Sequence, residues 1–297
     1  MELHQLEYFL AVEKYGTFSA AALEINVSQS SLSQQIRKLE DELGVKLFIR
    51  GARLAKLTPA GEEFFTYARR IITEIQNSRY AMQEYTNFHK GHIKIGVIPT
   101  IGYLGIHRLI LRFSRLYPGI EVDMCEANTD DLLLFLNQKK IQVAFITSPY
   151  SDEFHVDFHP LIDDDIVLLV PIGHRYANES IVYISEFSNE KFLMIKSSSG
   201  WRDSLVKACN DCGFTPNVIL TTSSVELLRN FVEEGVGVAL MGQRIAKQIT
   251  TPRTSIVQLK QDIKRQNGLV MLPIRRPPLA TRLFRDFVLQ YEFDEEE

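Results

Sequence analysis

Three cysteines in 297 residues are too few for a disulfide framework. Two of them, Cys209 and Cys212 in KACNDCGF, form a C-x-x-C spacing, but no second such pair and no histidine pair completes a metal site around it. They are read as two small residues near the end of a helix closed by Gly213, with a redox pair as the alternative. Long apolar runs are missing too. The longest, IVLLVPI from Ile166 to Ile172, is far short of the roughly twenty residues of a membrane helix. The opening MELHQLEYFL lacks the basic start and apolar centre of an export signal, so a cytoplasmic location with no membrane partner is expected. An overall basic balance is also absent: 33 Lys and Arg stand against 37 Asp and Glu, a net charge of -4. That excludes a uniformly cationic coat for nucleic acid but not a local basic patch. G-x-S-x-G, H-E-x-x-H and the phosphate-loop pattern are missing, so no catalytic, metal or cofactor site is expected from them.

What is present is ordinary for a protein with a real core: 45% hydrophobic and 24% charged residues, in a chain long enough for two or three domains. Residues 1 to 58 read as short helices. Leu3, Leu6, Phe9 and Leu10 give an apolar face that ends at Gly16. Ser19 is expected to cap a second helix, AAALEI, whose Ala21 and Ala22 let another helix approach closely. Asn26-Val27-Ser28 is the turn before a third helix, with Ser28 its N-cap. LFIRGARLAKL suggests a small β-hairpin around Gly51. Thr58-Pro59 then starts a new helix, a capping hydroxyl followed by proline at the first helical position. That helix is expected to run to about Phe88. Ala68, Ile71, Ile75, Ser78, Met82 and Tyr85 along it follow a heptad seam, widened by Phe64, Phe65 and Ile72. Its length favours a dimer helix over one lying on its own domain.

From Ile93 the pattern changes. IKIGVI, IEVDMCEA, IQVAFI, IVLLVPI, FLMIK and VGVALM read as strands alternating with helices such as YLGIHRLILRFSRLY and VELLRNFVEEG. Such alternation predicts parallel α/β sheets, with room for two lobes. The closing DEEE is expected to be disordered.

The third helix, Gln29 to Leu43, carries the clearest chemistry. At 100° per residue Leu32, Ile36, Leu39 and Leu43 share one face and are expected to pack on the first two helices. The opposite face carries Ser30, Gln34, Arg37 and Asp41, flanked by Ser31, Ser33 and Lys38. Short donors and acceptors at the front of a helix suit the floor of a DNA major groove, and the helix N-terminus favours a phosphate. Between Ser28 and Thr58, six basic residues (Arg37, Lys38, Lys46, Arg50, Arg53, Lys56) stand against three acids (Glu40, Asp41, Glu42), a local +3 in a chain of net charge -4. A solvated polar face is the alternative. In the later part, polar clusters fall at strand ends: Pro99 to Ile101, Thr147-Ser148, Ser197 to Gly200, and Thr221 to Ser224. Hydroxyls beside open helix N–H groups there favour a small anion. Ser223-x-x-Glu226 is also a good capping box, so Ser223 stays open between the two roles.

The run FSAAALEINVSQSSLSQQIRKLEDELGVKLFIR, followed by LTPAG, resembles the winged helix–turn–helix of LysR-type transcriptional regulators. The shared pattern is paired alanines, a V-S-Q turn, S-x-Q-I-R-x-L-E-x-x-L-G, L-F-x-R and L-T-x-A-G. The resemblance implies an all-α winged helix–turn–helix domain over 1–58 and a linker (dimerisation) helix over 59–90. A bilobal α/β effector domain of the type 2 periplasmic-binding kind follows over 91–297. Its lobe I is implied at about 91–165 and 267–297, and lobe II at about 166–266. Carried over by matching position, Gln29, Ser30, Ser31, Ser33, Gln34 and Arg37 are the implied DNA-facing set, with Ser28 and Lys38 beside them and Arg50 and Arg53 on the wing. Gln29 and Arg37 are assigned to bases, and Ser31, Ser33 and Lys38 to phosphates. Thr100, Ile101, Thr147, Ser148, Ser198, Ser199, Gly200, Trp201, Arg202 and Ser223 are the implied effector contacts. The implied partners are a partly palindromic double-stranded DNA, a small anionic effector, a second copy in a homodimer, a further pairing to a homotetramer, and RNA polymerase.

The chain departs from the family pattern at Ser30, where many members have proline. It departs again at Ile106-His107 and Met241-Gly242, where leucine-proline is common, and at Gln142 in place of aspartate. His107 is expected mid-helix and structural. Two other readings stay open at this point: an enzyme or solute carrier on the bilobal fold, and a DNA-binding structural protein without an effector.

Overall fold

The computed structural model describes residues 1–49, 54–86, 91–150, 153–196 and 199–293. Arg50, Arg53, Ser197, Ser198 and the acidic 294–297 lie outside the described residues, as do the side chains of Ser199, Gly200, Trp201, Met82 and Tyr85. The chain divides into two compact units, Met1–Met82 and Gln83–Glu297.

The first unit is built from α1 (Leu3–Tyr15), α2 (Phe18–Glu24), α3 (Gln29–Leu43) and most of α4 (Pro59–Thr86). Thr17, not Ser19, caps α2: it sits in extended backbone and its hydroxyl accepts from Ala20 N at 3.1 Å. The helix therefore begins ahead of the alanine run, and Ser19 falls inside its first turn. Ser28 caps α3 as expected, accepting from Ser31 N at 3.1 Å. The turn before it passes through Asn26 at φ 55°, a left-handed conformation that asparagine tolerates. Leu6, Phe9, Val12, Ala21, Leu32, Ile36, Leu39 and Leu47 form the core. Leu43 does not join them. It is 36% exposed, because α3 stops there at Gly44.

Thr58 starts α4, its hydroxyl accepting from Gly61 N at 3.0 Å and donating to Lys46 O at 2.6 Å. Ala68, at the front of the heptad series, is fully buried in this same core, with Ile71 and Ile72 packed on it. The first turns of that series are thus used within the unit. A bridge between Phe48 and Leu57, with Ile49 N donating to Lys56 O at 2.8 Å, opens the hairpin; its tip is outside the described residues.

The second unit contains strands β1 (Gly91–Val97), β2 (Ile120–Glu126), β3 (Val143–Ser148), β4 (Asp157–Pro171), β5 (Ile181–Val182), β6 (Lys191–Ile195), β7 (Asn217–Thr222), β8 (Val238–Gly242), β9 (Thr254–Leu259) and β10 (Lys264–Met271). Between them run α5 (Ile106–Leu116), α6 (Thr129–Asn137), α7 (Ser199–Asp211), α8 (Val225–Glu233), α9 (Gln243–Ile249) and, last, α10 (Leu279–Leu289). β1 pairs in parallel with β2 and β3, and β6 with β7 and β8. The sheets are not purely parallel, however. β4 and β10 pass between the lobes in opposite directions and pair antiparallel. β4 pairs with β10 from Asp157 to Asp165, then from Ile166 onward with β8 and β9. Its apolar run is continuous because both faces are covered. Ile166, Leu168 and Val170 point to one cluster with Phe187, Phe192 and Cys209, while Val167 and Leu169 point to another with Leu228 and Ile245.

Gln142, where the family pattern has aspartate, ties the two parallel strands. Its side-chain oxygen accepts from Lys94 N at 2.7 Å, and its own N–H donates to Lys94 O at 3.0 Å. His107 is not mid-helix. It is exposed in the first turn of α5, which begins after Gly105 in a left-handed conformation.

Candidate nucleic-acid interface and ligand cleft

α3 presents two chemically distinct faces. Leu32, Ile36 and Leu39 are buried, and Ser28, Gln29, Ser30, Ser31, Gln34, Arg37 and Lys38 are exposed, with Ser33 half-buried. The Ser30 and Ser28 hydroxyls lie 3.0 Å apart, so Ser30 reinforces the cap where proline would pre-order the turn. Glu40, one of the three acids counted in this segment, is not on the solvated face of α3. It is instead buried, accepting from Leu47 N at 2.9 Å and Phe48 N at 3.3 Å, and pairing with Lys46 Nζ at 3.0 Å. It fixes the chain's exit from α3 into the hairpin. Lys46 is held by that carboxylate and lies 3.4 Å from Asp41, whereas Arg37, Lys38 and Lys56 are exposed without such a carboxylate pair among the described residues.

In the second unit a cleft opens at the strand ends. Its walls include Thr100 and Thr147 together with Asn128, Thr129, Lys196 and Arg265. It encloses about 40 Å³. At roughly 10–15 Å³ per water, that is room for about three waters, well below the ~300 Å³ of a typical ligand pocket. Of the other expected contacts, Ser198 and the side chains of Ser199, Gly200 and Trp201 lie outside the described residues, and the rest do not line it. Ile101 is buried in the core of lobe I; Ser148 is half-buried at the end of β3; Arg202 is exposed on α7. Ser223 is exposed as well, and the cap of α8 is Ser224, which accepts from Leu227 N at 3.2 Å. The helix starts one residue later than the capping-box pattern places it.

Behind the cleft wall lies a buried ion pair that sequence reading missed. Arg265 on β10 stands opposite Asp164 on β4, at the point where both strands pass between the lobes. Its Nε and Nη2 donate to Asp164 Oδ2 at 3.0 and 2.8 Å, and Asp164 Oδ1 accepts from Arg244 N, in the first turn of α9, at 3.0 Å. Gly242 leaves space for this pair: a Cβ there would collide with Asp164 Oδ2 and the Arg265 guanidinium. This gives the Met241-Gly242 departure a physical reason. Thr147 donates to Asn267 Oδ1 at 2.7 Å, and Asn267 Nδ2 is left buried without a partner among the described residues.

An exposed polar helix face on a compact three-helix core, followed by two lobes joined by crossing strands, is matched by two family models. Residues 3–62 match the bacterial regulatory helix-turn-helix protein model of the lysR family, and residues 87–292 match the LysR substrate binding domain. The chain belongs to the LysR family of transcriptional regulators. It is 31% identical over 285 residues to the DNA-binding transcriptional dual regulator OxyR of Escherichia coli K12, covering 95% of this chain and 92% of that one. It is 28% identical over 294 residues to the transcriptional dual regulator GltC of Bacillus subtilis 168, covering 98% and 97%. Its fold is shared with full-length CbnR solved in complex with its target DNA, at a TM-score of 0.77 and 21% identity over 97% of this chain and 99% of that one. This LysR regulator therefore joins a DNA-binding helix–turn–helix to a substrate-binding domain, and its relatives are regulators rather than enzymes. Among the described residues, no helix is long and apolar enough to cross a membrane.

Proposed function

We propose that the regulator reads a partly palindromic operator in the cytoplasm as a homodimer paired through α4, and further as a homotetramer in contact with RNA polymerase. The domain limits proposed are 1–58, 59–90 and 91–297. The exposed face of α3 carries this reading: Gln29 and Arg37 address bases and Ser31, Ser33 and Lys38 phosphates, with Ser28, Ser30 and Gln34 completing the DNA-facing set and Arg50 and Arg53 on the wing. Footprinting on the DNA flanking its own gene tests it, and absence of protection at low salt would overturn it. Arg37→Ala should reduce the preference for operator over random DNA by about ten-fold or more, as loss of one bidentate base contact does. If both affinities fall equally, Arg37 is a phosphate contact.

The effector proposed is a small anion in the interlobe cleft, near Thr100, Thr147 and the start of α7 at Ser199. Lys196 is on its wall beside Arg265, whose charge is shared with Asp164; no acid lines the cleft among the described residues, and the orphan Asn267 donor lies behind Thr147. Because the cleft encloses only about 40 Å³, a metabolite must part the lobes to enter. A closed and an open arrangement with different affinity for the ligand is what allosteric control requires.

Several relatives are hydrogen peroxide-inducible activators, which raises a second reading: peroxide as the signal. The thiols favour the first. Peroxide oxidises accessible thiolates. Cys209 is fully buried, and burial, with a smaller push from Cys212, raises its pKa to about 11. Burial raises Cys125 as well. The footprint is expected to be unchanged by peroxide, and Cys209→Ala/Cys212→Ala should bind operator like the wild type. A peroxide-dependent footprint lost in that double variant would reverse the choice.

A further inference from the structure

The interlobe cleft has two chemically different walls. Thr100 follows β1, Thr129 opens α6 and Thr147 lies near the end of β3; all three line the cleft and are more than nine-tenths buried. The wall from β6, α7, β8 and α9 is hydrocarbon: Met194, Ile195, Leu205, Leu240, Met241 and Ile245. Resting on the cleft as the effector site, we propose that its ligand is a short aliphatic monocarboxylate, held by its head at the threonines and by its hydrocarbon on the other wall.

The threonine wall is short of partners. Thr147 donates to Asn267 Oδ1 at 2.7 Å, and Asn128, also on this wall, is committed to Asp131 through both ends of its amide. The Thr100 and Thr129 hydroxyls have no hydrogen-bond partner among the described residues, although these residues are only 6% and 3% exposed. A buried hydroxyl without a partner is costly, and a ligand oxygen arriving in the cleft removes that cost. Two O–H donors suit the two oxygens of a carboxylate, which only accepts. Lys196 is exposed on the same cleft and has no carboxylate partner among the described residues, whereas the charge of Arg265 is shared with Asp164. One uncompensated cation matches one negative charge.

The other wall sets what the rest of the ligand is. Its six side chains offer no hydrogen-bond donor, so a second carboxylate placed there loses its hydration and gains nothing in return. No aromatic side chain lines the cleft among the described residues, so a flat ring finds no face to stack on. Methionine, leucine and isoleucine adapt instead to a branched or linear alkyl group. A ligand of this kind touches both walls at once, and it therefore favours the arrangement in which they are near each other.

The test is isothermal titration of the full-length protein with isovalerate, glutarate, benzoate and isoamylamine. Isovalerate should bind, and the other three should bind at least about ten-fold more weakly. Thr129→Val removes a hydroxyl at nearly constant volume and should weaken isovalerate about ten-fold or more, with the melting temperature of the free protein unchanged. Thr100→Val, in a different element, carries the same expectation and guards against a folding effect. Ile195→Thr, at the half-buried member of the hydrocarbon wall, should narrow the preference for isovalerate over glutarate. Tighter binding of glutarate or benzoate that falls with Thr129→Val would keep the cleft as the effector site and overturn the aliphatic class. Equal binding of isoamylamine would overturn the carboxylate head. Isovalerate binding that is unchanged in Thr129→Val, Thr100→Val and Ile195→Thr would place the ligand outside the cleft and overturn both readings. No binding of isovalerate at millimolar concentration overturns the assignment of this class.

Discussion

Each of the two units buries a carboxylate, and the two are held in opposite ways. Glu40 accepts from two backbone N–H groups seven and eight residues along the chain and shares a half-exposed lysine. Asp164 is paired with an arginine 101 residues away, 7% exposed, and takes a further N–H from the start of α9. Glu40 therefore fixes one local turn, the exit from α3. Asp164 fixes the meeting of three elements at the passage between lobes. A local contact costs little chain entropy to form, whereas the long-range one depends on the whole fold being in place.

The largest effect is expected where the charge is most deeply enclosed. Asp164→Ala leaves Arg265 buried without its counter-ion, a loss of about 3–5 kcal/mol by analogy with other broken buried pairs. Urea unfolding should show it as a lower midpoint for the second unit. The double change Asp164→Ala/Arg265→Met should recover much of that loss, since no charge is then left uncompensated. A single variant as stable as the wild type would mean that Arg265 swings to solvent, and the contrast with Glu40 would disappear.

The same contrast explains what could be read from the sequence. The face of α3 repeats with helical period, so Leu32, Ile36 and Leu39 separate cleanly from Gln29, Gln34 and Arg37 along one short stretch. The strand-end rule pointed to Thr100 and Thr147, which lie on the cleft wall, for a similar reason: hydroxyls directly following apolar runs are visible locally. It also pointed to Ser148 and Ser223, because the rule cannot tell which way a side chain turns at the end of a strand or which serine begins a helix. Asn128 and Thr129 carry the same kind of signal, just after β2, and were passed over. Arg265 carries none. Its place on the cleft wall follows from β10 returning antiparallel between β3 and β4, which no local pattern states. Glu40 was visible as a charge, but its burial depends on the chain folding back at Leu47.

Glu40→Ala tests the local half of the comparison. It removes a charged acceptor from two buried N–H groups, so the first unit should lose about 1.5–3 kcal/mol, less than Asp164→Ala costs the second. Glu40→Gln keeps an acceptor oxygen and should recover part of it. Operator affinity should follow stability through this series, because Glu40 faces the fold and not the groove. If Glu40→Gln melts like the wild type yet binds DNA differently, the carboxylate acts on DNA through its charge, and its purely structural role is wrong.

The smallest effect separates two neighbouring hydroxyls. Ser28 accepts from Ser31 N, so Ser28→Ala removes an N-cap and should cost the first unit about 1 kcal/mol. Ser30 meets the Ser28 hydroxyl at 3.0 Å and is exposed, so Ser30→Ala should shift the melting temperature much less. DNA binding then discriminates their roles. A hydroxyl that grips a phosphate loses operator and random DNA affinity together, whereas one that only supports the cap loses neither beyond its stability cost. Ser30→Pro sharpens the result further: proline in the first turn suits the helix but has no hydroxyl. If Ser30→Pro raises stability and weakens binding to both DNAs, serine at this position exchanges rigidity for a backbone contact. If it raises stability and leaves binding unchanged, Ser30 belongs to the cap alone, and the groove-facing set of α3 shortens by one.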